Sequence, residues 1–121
     1  MQIRKSIRSF KPALKGIVES IQEGNNIKIH VFAAICAILL SFYLHISTIE
    51  WCIILLCIGL VISAELCNTA IELLVDQITT QQEEWARRTK DTAAGAVLIL
   101  AITSLVVGII IWYPYVIKII G

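Results

Sequence analysis

Three long apolar runs leave this chain few folds to adopt. Ala93 to Trp112 is twenty residues without a charge, about the ~20 that a helix needs to cross the core of a bilayer. Ile29 to Ile46 is slightly shorter and holds two histidines near its ends, His30 and His45. The third run opens at Trp51 and continues in helical register past Ser63 into a polar stretch, "AELCNTAIELLVD". With 121 residues, 58% of them hydrophobic and 16% charged, a water-soluble domain has too little interior to bury three such helices. The expected architecture is an all-α membrane protein of one domain, with spans at 29–46, 49–78 and 93–112.

Charge distribution predicts the orientation. Arg4, Lys5, Arg8, Lys11, Lys15 and Lys28 precede the first span, and Arg87, Arg88 and Lys90 lie between the second and third. The short link His45–Glu50 has no lysine or arginine, and Lys118 alone follows Trp112. By the positive-inside rule the N-terminus and the 79–92 loop face the cytoplasm. Tyr43, Trp51, Trp112, Tyr113 and Tyr115 then gather at the opposite interface, where amphipathic rings favour the headgroup level. No cleavable signal is expected, because the first apolar run starts late and no small-residue cleavage site follows it. The net charge of +1 gives no reason to expect a nucleic-acid partner. Cys36, Cys52, Cys57 and Cys67 show no CxxC pairing and read as small hydrophobes in apolar helix.

Residues 1–26 read differently. Ile3, Ile7, Phe10, Leu14, Ile17 and Ile21 recur at steps of four and three, a helical stripe. Basic residues occupy the other faces, so the segment is expected to be an amphipathic surface helix on an anionic leaflet or against the spans. Pro12 is expected to kink it or to open a second helix. "EGNN", Glu23 to Asn26, marks the turn into the membrane. Three helices offer little room for buried polar groups, which predicts a homo-oligomer.

The polar stretch is the chemical signal. On a helix, Glu65, Asn68, Glu72 and Asp76 fall within one stripe, stacked turn upon turn. A carboxylate within a spanning helix costs about 2.5 kcal/mol or more at mid-bilayer, and less near the interface. A helix end emerging into headgroups accounts for Asp76 and partly for Glu72. It does not account for Glu65, about three turns deeper. Intramembrane ionisable residues are functional by default. Opposite the stripe stands "RRTKD", Arg87 to Asp91, which on charge alone is a topology-setting flank. Carboxylate oxygens suit Mg²⁺, which takes one or two of them plus substrate phosphates, and a lysine suits the phosphates. Together with a membrane-embedded base these groups describe phosphoryl transfer to a lipid hydroxyl. No GxxxxGK[ST] or kinase-type glycine loop is present. A small oligomeric channel or proton-coupled transporter would also line a path with carboxylates.

The blocks "ELCNTAIELLVD" and "KDTAAGAVLI" resemble the two signature blocks of the small bacterial diacylglycerol kinase family, which includes undecaprenol kinases. The resemblance covers nearly the whole chain. It implies a homotrimer in the bacterial inner membrane, Mg-ATP as donor, a membrane lipid alcohol as acceptor, and active sites shared between neighbouring subunits. By the same resemblance Glu65 is the catalytic base, Asn68 a polar active-site residue and Glu72 a metal-binding carboxylate. Asp76, Lys90 and Asp91 match positions around the nucleotide, and Glu83 would lie near it. The family's second metal-binding glutamate falls on Gly24 here, with Glu23 one residue early. "NIKIH" and "AGAV" resemble the undecaprenol-kinase branch more than the diacylglycerol branch, so undecaprenol is the expected acceptor and diacylglycerol the alternative.

Overall fold

A computed structural model describes residues 2–121, and these form four helices: α1 (Gln2–Glu23), α2 (Asn25–Leu44), α3 (Thr48–Ile78) and α4 (Glu84–Ile120). The last three are long and apolar enough to cross a membrane. The chain is thus a multi-pass membrane protein. Only 17% of each span's most apolar stretch is buried within the chain, so lipid or other copies must cover the remainder.

Local signals set the helix ends. Gly24 separates α1 from α2 with an extended backbone (φ −91°, ψ 133°). A Cβ there would lie 2.9 Å from the Ser20 carbonyl oxygen and 3.1 Å from Ile27 Cγ2. The turn is built around glycine's missing side chain. At the other end of α2, His45 adopts a left-handed conformation (φ 56°), and its N–H bonds the Phe42 carbonyl. Ser47 and Glu50 then form a capping box: Glu50 N–H donates to Ser47 Oγ (3.2 Å) and Ser47 N–H to Glu50 Oε1 (2.9 Å). This satisfies two of the four N–H groups that a helix start leaves open. The Tyr115 hydroxyl donates to the same Glu50 carboxylate and ties the end of α4 to the start of α3.

The structure places three helix boundaries that the sequence left open. Pro12 neither ends nor restarts a helix, because α1 runs through it from Gln2 to Glu23. The 79–92 segment is mostly helical: only 79–83 connect the helices, and α4 starts at Glu84. The helix that carries the third span likewise runs beyond Trp112 to Ile120, through Pro114. Proline removes one intrahelical donor, and the hydrogen bonds on either side carry the helix across it. Side chains brace the start of α4. Thr89 and Thr92 hydroxyls bond the carbonyls of Trp85 (2.7 Å) and Arg88 (2.8 Å), and Arg87 is held between Glu84 and Asp91.

α3 and α4 pack along one another most extensively, with α2 against α3 next. The main apolar cluster lies at the α2–α3 turn, where Leu44, Ile46, Ile54 and Ile111 are buried against Trp51 and Trp112. Within it Trp112 Nε1 donates to Ser41 Oγ (3.0 Å), and Ser41 is fully enclosed. Gly108 admits the Trp112 ring, since a Cβ there would lie 2.9 Å from ring atom Cζ3. Trp112→Phe leaves the Ser41 hydroxyl buried without its donor, which costs about 1–3 kcal/mol. Thermal unfolding in detergent is expected to show that loss, and Ser41→Ala in the same chain to recover part of it. Unchanged melting of Trp112→Phe would show that the bond contributes nothing.

Candidate active site

At about 1.5 Å per residue α3 is roughly 46 Å long, well beyond a hydrocarbon core of about 30 Å. Counted from Trp51, about 20 residues of helix end close to Ala70. Glu65 therefore lies at hydrocarbon depth, Glu72 at its margin, and Asp76 beyond it. The i, i+3 and i+4 spacing keeps the stripe on one face. Burial follows depth: Glu65 is 4% exposed and Asn68 5%, while Glu72 and Asp76 are exposed.

The buried pair is organised from two helices. Glu65 Oε2 lies 3.7 Å from Nε2 of His30 on α2. Asn68 Nδ2 donates to Glu72 Oε1 (3.2 Å) one turn further along. Because an ionised carboxylate only accepts, this bond fixes the amide orientation and turns Asn68 Oδ1 away. That oxygen is buried with no hydrogen-bond partner. Glu65, Asn68, His30 and Asn26 line a cavity of about 200 Å³, closed on the α4 side by Ala94, Val97, Leu98 and Ala101. An apolar hollow of about 560 Å³ adjoins it, sharing Ile29, His30 and Ala101 as walls.

The polar end of the stripe meets α4. Lys90 forms an ion pair with Asp76 across the two helices. Asp91 accepts from Arg87 Nη1 (2.7 Å), and Glu83 accepts from the Trp85 indole. Two of the expected nucleotide residues, Lys90 and Asp76, thus come together, while Asp91 and Glu83 are engaged by their own neighbours. Glu23 is exposed at the last position of α1. No group of three or more His, Cys, Asp and Glu side chains converges on a metal-sized site among the described residues. Glu72 still offers a free carboxylate oxygen, since Asn68 engages only the other one. One or two carboxylates completed by phosphate oxygens suffice for Mg²⁺, so this donor set fits it. His30 was not among the residues singled out from the sequence. The available signal was an ionisable side chain at the start of an apolar span.

A multi-pass helical protein with a buried carboxylate below a lysine-bearing polar end has the layout of an enzyme acting on a membrane lipid. The prokaryotic diacylglycerol kinase family matches residues 11–112. Undecaprenol kinase of Bacillus subtilis (strain 168) is 40% identical over 93% of this chain and 92% of its own length. Diacylglycerol kinase of Haemophilus influenzae is 32% identical over 88% of this chain and 92% of its own. Diacylglycerol kinase of Synechocystis is 38% identical over 83% of this chain, which spans 58% of that longer relative. The chain belongs to the prokaryotic diacylglycerol kinase family. It is a lipid kinase, and the alternative reading as a channel or transporter gives way. Kinase membership carries ATP-dependent phosphoryl transfer with it.

Proposed function

We propose that this enzyme transfers the γ-phosphoryl group of ATP to the hydroxyl of a membrane polyprenol of the undecaprenol type, with Glu65 as the general base. The observation that carries this reading is the placement of one buried carboxylate, Glu65, at hydrocarbon depth on the stripe that ends at the Asp76–Lys90 pair. ATP approaches from water and the acceptor hydroxyl from the bilayer, and the stripe joins the two depths. Phosphoryl transfer asks a protein mainly for positioning and charge stabilisation. Glu65 takes the hydroxyl proton as the alcohol oxygen bonds to the γ-phosphorus and ADP leaves. Asn68 holds Glu72 and keeps its buried Oδ1 free to accept from a bound donor. Glu72, with Glu23 as the carboxylate next to the Gly24 position, would hold Mg²⁺, which when bound offsets charge on the transferring phosphates.

The choice of a polyprenol over diacylglycerol is supported by the Bacillus subtilis relative named for undecaprenol and by the resemblance of "NIKIH" and "AGAV" to that branch. The apolar hollow of about 560 Å³ beside the catalytic cavity suits a long hydrocarbon tail. The remaining assignments belong to the same reading. The enzyme is a homotrimer in the inner membrane, with its N-terminus in the cytoplasm and α1 as an amphipathic helix on the leaflet surface. Exposure of Ile3, Ile7, Phe10 and Leu14 along α1 supports that placement, as does the low burial of all three spans for the trimer. Purified protein assayed with ATP against a panel of lipid alcohols tests the proposal. Faster turnover of diacylglycerol than of undecaprenol would reverse the choice of acceptor.

Lys90 supplies the phosphate contact. Its ammonium already pairs with Asp76, which holds it at the polar end of the stripe. Lys90→Ala removes a charge-assisted bond of about 1.5–3 kcal/mol, so KM for ATP is expected to rise roughly 10- to 100-fold. An unchanged nucleotide dependence would reduce "RRTKD" to a topology-setting flank.

A further inference from the structure

Glu65 can act as a base once; to act again it must lose the proton. Its side chain is 5% exposed, and the cavity around it offers few places for that proton to go. Of the cavity walls, only Glu65 and His30 ionise. α4 contributes Ala94, Val97, Leu98 and Ala101, none of which can carry a proton. Asn26 and Asn68 are amides. The adjoining apolar hollow adds only the thiols of Cys36 and Cys57. α1, which packs on α2 and α3, brings Glu19 and Glu23 at its C-terminal end, and neither lines the cavity. Lys28 and Glu72 are exposed, Glu72 is bonded to Asn68, and neither lines the cavity.

His30 is placed to receive the proton. Its Nε2 lies 3.7 Å from Glu65 Oε2, and its side chain is 22% exposed against 5% for the carboxylate. The imidazole is thus the wetter partner of the pair and the only ionisable group in contact with the base among the described residues. Histidine is also the side chain best suited to gain and release a proton near neutral pH. We infer that His30 accepts the proton from Glu65 after each phosphoryl transfer and releases it to water, resetting the base for the next acceptor. This inference rests on the reading of Glu65 as the base.

The proton balance is simple. The acceptor O–H bond breaks, its oxygen bonds to the γ-phosphorus, the bond from that phosphorus to ADP breaks, and the proton resides on Glu65. It then moves to a neutral ring nitrogen of His30, giving an imidazolium, and from there to solvent. No other reactant is needed. His30 is a positioning residue in this scheme, since it touches the base and not the acceptor or nucleotide.

The test uses purified full-length enzyme in mixed micelles, with undecaprenol or diacylglycerol according to which turns over faster. His30→Gln keeps a polar side chain of similar reach but cannot carry the proton. Its kcat is expected to fall about 10- to 100-fold, with KM for ATP and for the lipid unchanged. His30→Ala is expected to lose as much and to regain turnover as imidazole is added, whereas wild type does not respond. The acid limb of the kcat–pH profile is also expected to move in His30→Gln. Wild-type kcat and an unmoved profile in His30→Gln overturn the relay, as does a loss in both variants that tracks rising KM or ignores imidazole. Glu65→Gln, measured alongside, separates the two readings. If it is inactive while His30→Gln is wild type, only the relay fails; if it turns over normally, the base assignment fails and the relay with it.

Discussion

Glu65→Gln is expected to abolish lipid phosphorylation while leaving Mg-ATP binding close to wild type. Glutamine keeps the shape of the side chain and its contacts with the cavity wall but cannot take a proton. General-base catalysis contributes about 10²- to 10⁴-fold, and a site with no second carboxylate at that depth has no substitute. The nucleotide end of the stripe, at Asp76, lies eleven residues or roughly 16 Å further along α3, so ATP should not register the change. Stability should not fall either, because an amide is cheaper to bury than a carboxylate. Turnover in mixed micelles, nucleotide titration and thermal melting are therefore expected to separate. Near-wild-type turnover by Glu65→Gln would remove Glu65 from the chemistry.

The span count was fixed by run length alone, because a stretch of about 20 apolar residues has few other fates. Where the spans end was not. Residues 84–92 are polar, and polarity signals a loop as readily as a helix outside the membrane. Local bonds decide the matter: Arg87 reaches Glu84 and Asp91 one turn to either side, and Thr89 and Thr92 bond carbonyls one turn back. Pro12 and Pro114 are similar cases, since proline weakens a helix by one donor without dictating its end. At the site, the stacking of Glu65, Asn68, Glu72 and Asp76 follows from residue spacing on a single helix and could be read directly. The His30–Glu65 and Lys90–Asp76 contacts join residues on different helices. Their pairing depends on how α2 and α4 pack against α3, which no periodicity along one segment encodes.

Glu72→Gln is expected to raise the Mg²⁺ requirement roughly tenfold or more, since a hard cation loses a charged oxygen ligand. The hydrogen bond to Asn68 makes this a clean substitution. In the wild type Asn68 must present its NH₂ to the carboxylate, which leaves Oδ1 buried and unpaired. A glutamine at position 72 allows Asn68 to turn its oxygen toward the new amide, so the helix loses a metal ligand without gaining an unsatisfied group. Melting temperature should hold while the Mg²⁺ titration shifts. The second carboxylate is a separate question. A glutamate in place of Gly24 would put its Cβ 2.9 Å from the Ser20 carbonyl oxygen, so the turn must open before any side chain fits there. Glu23, next to it and exposed at the end of α1, is the carboxylate available without that clash. Glu23→Ala is accordingly expected to shift the Mg²⁺ titration in the same direction as Glu72→Gln, by less. If Glu72→Gln leaves the titration where it was, Glu72 is an ordinary helix-end carboxylate. If Glu72→Gln shifts it and Glu23→Ala does not, one glutamate with phosphate oxygens and water completes the coordination.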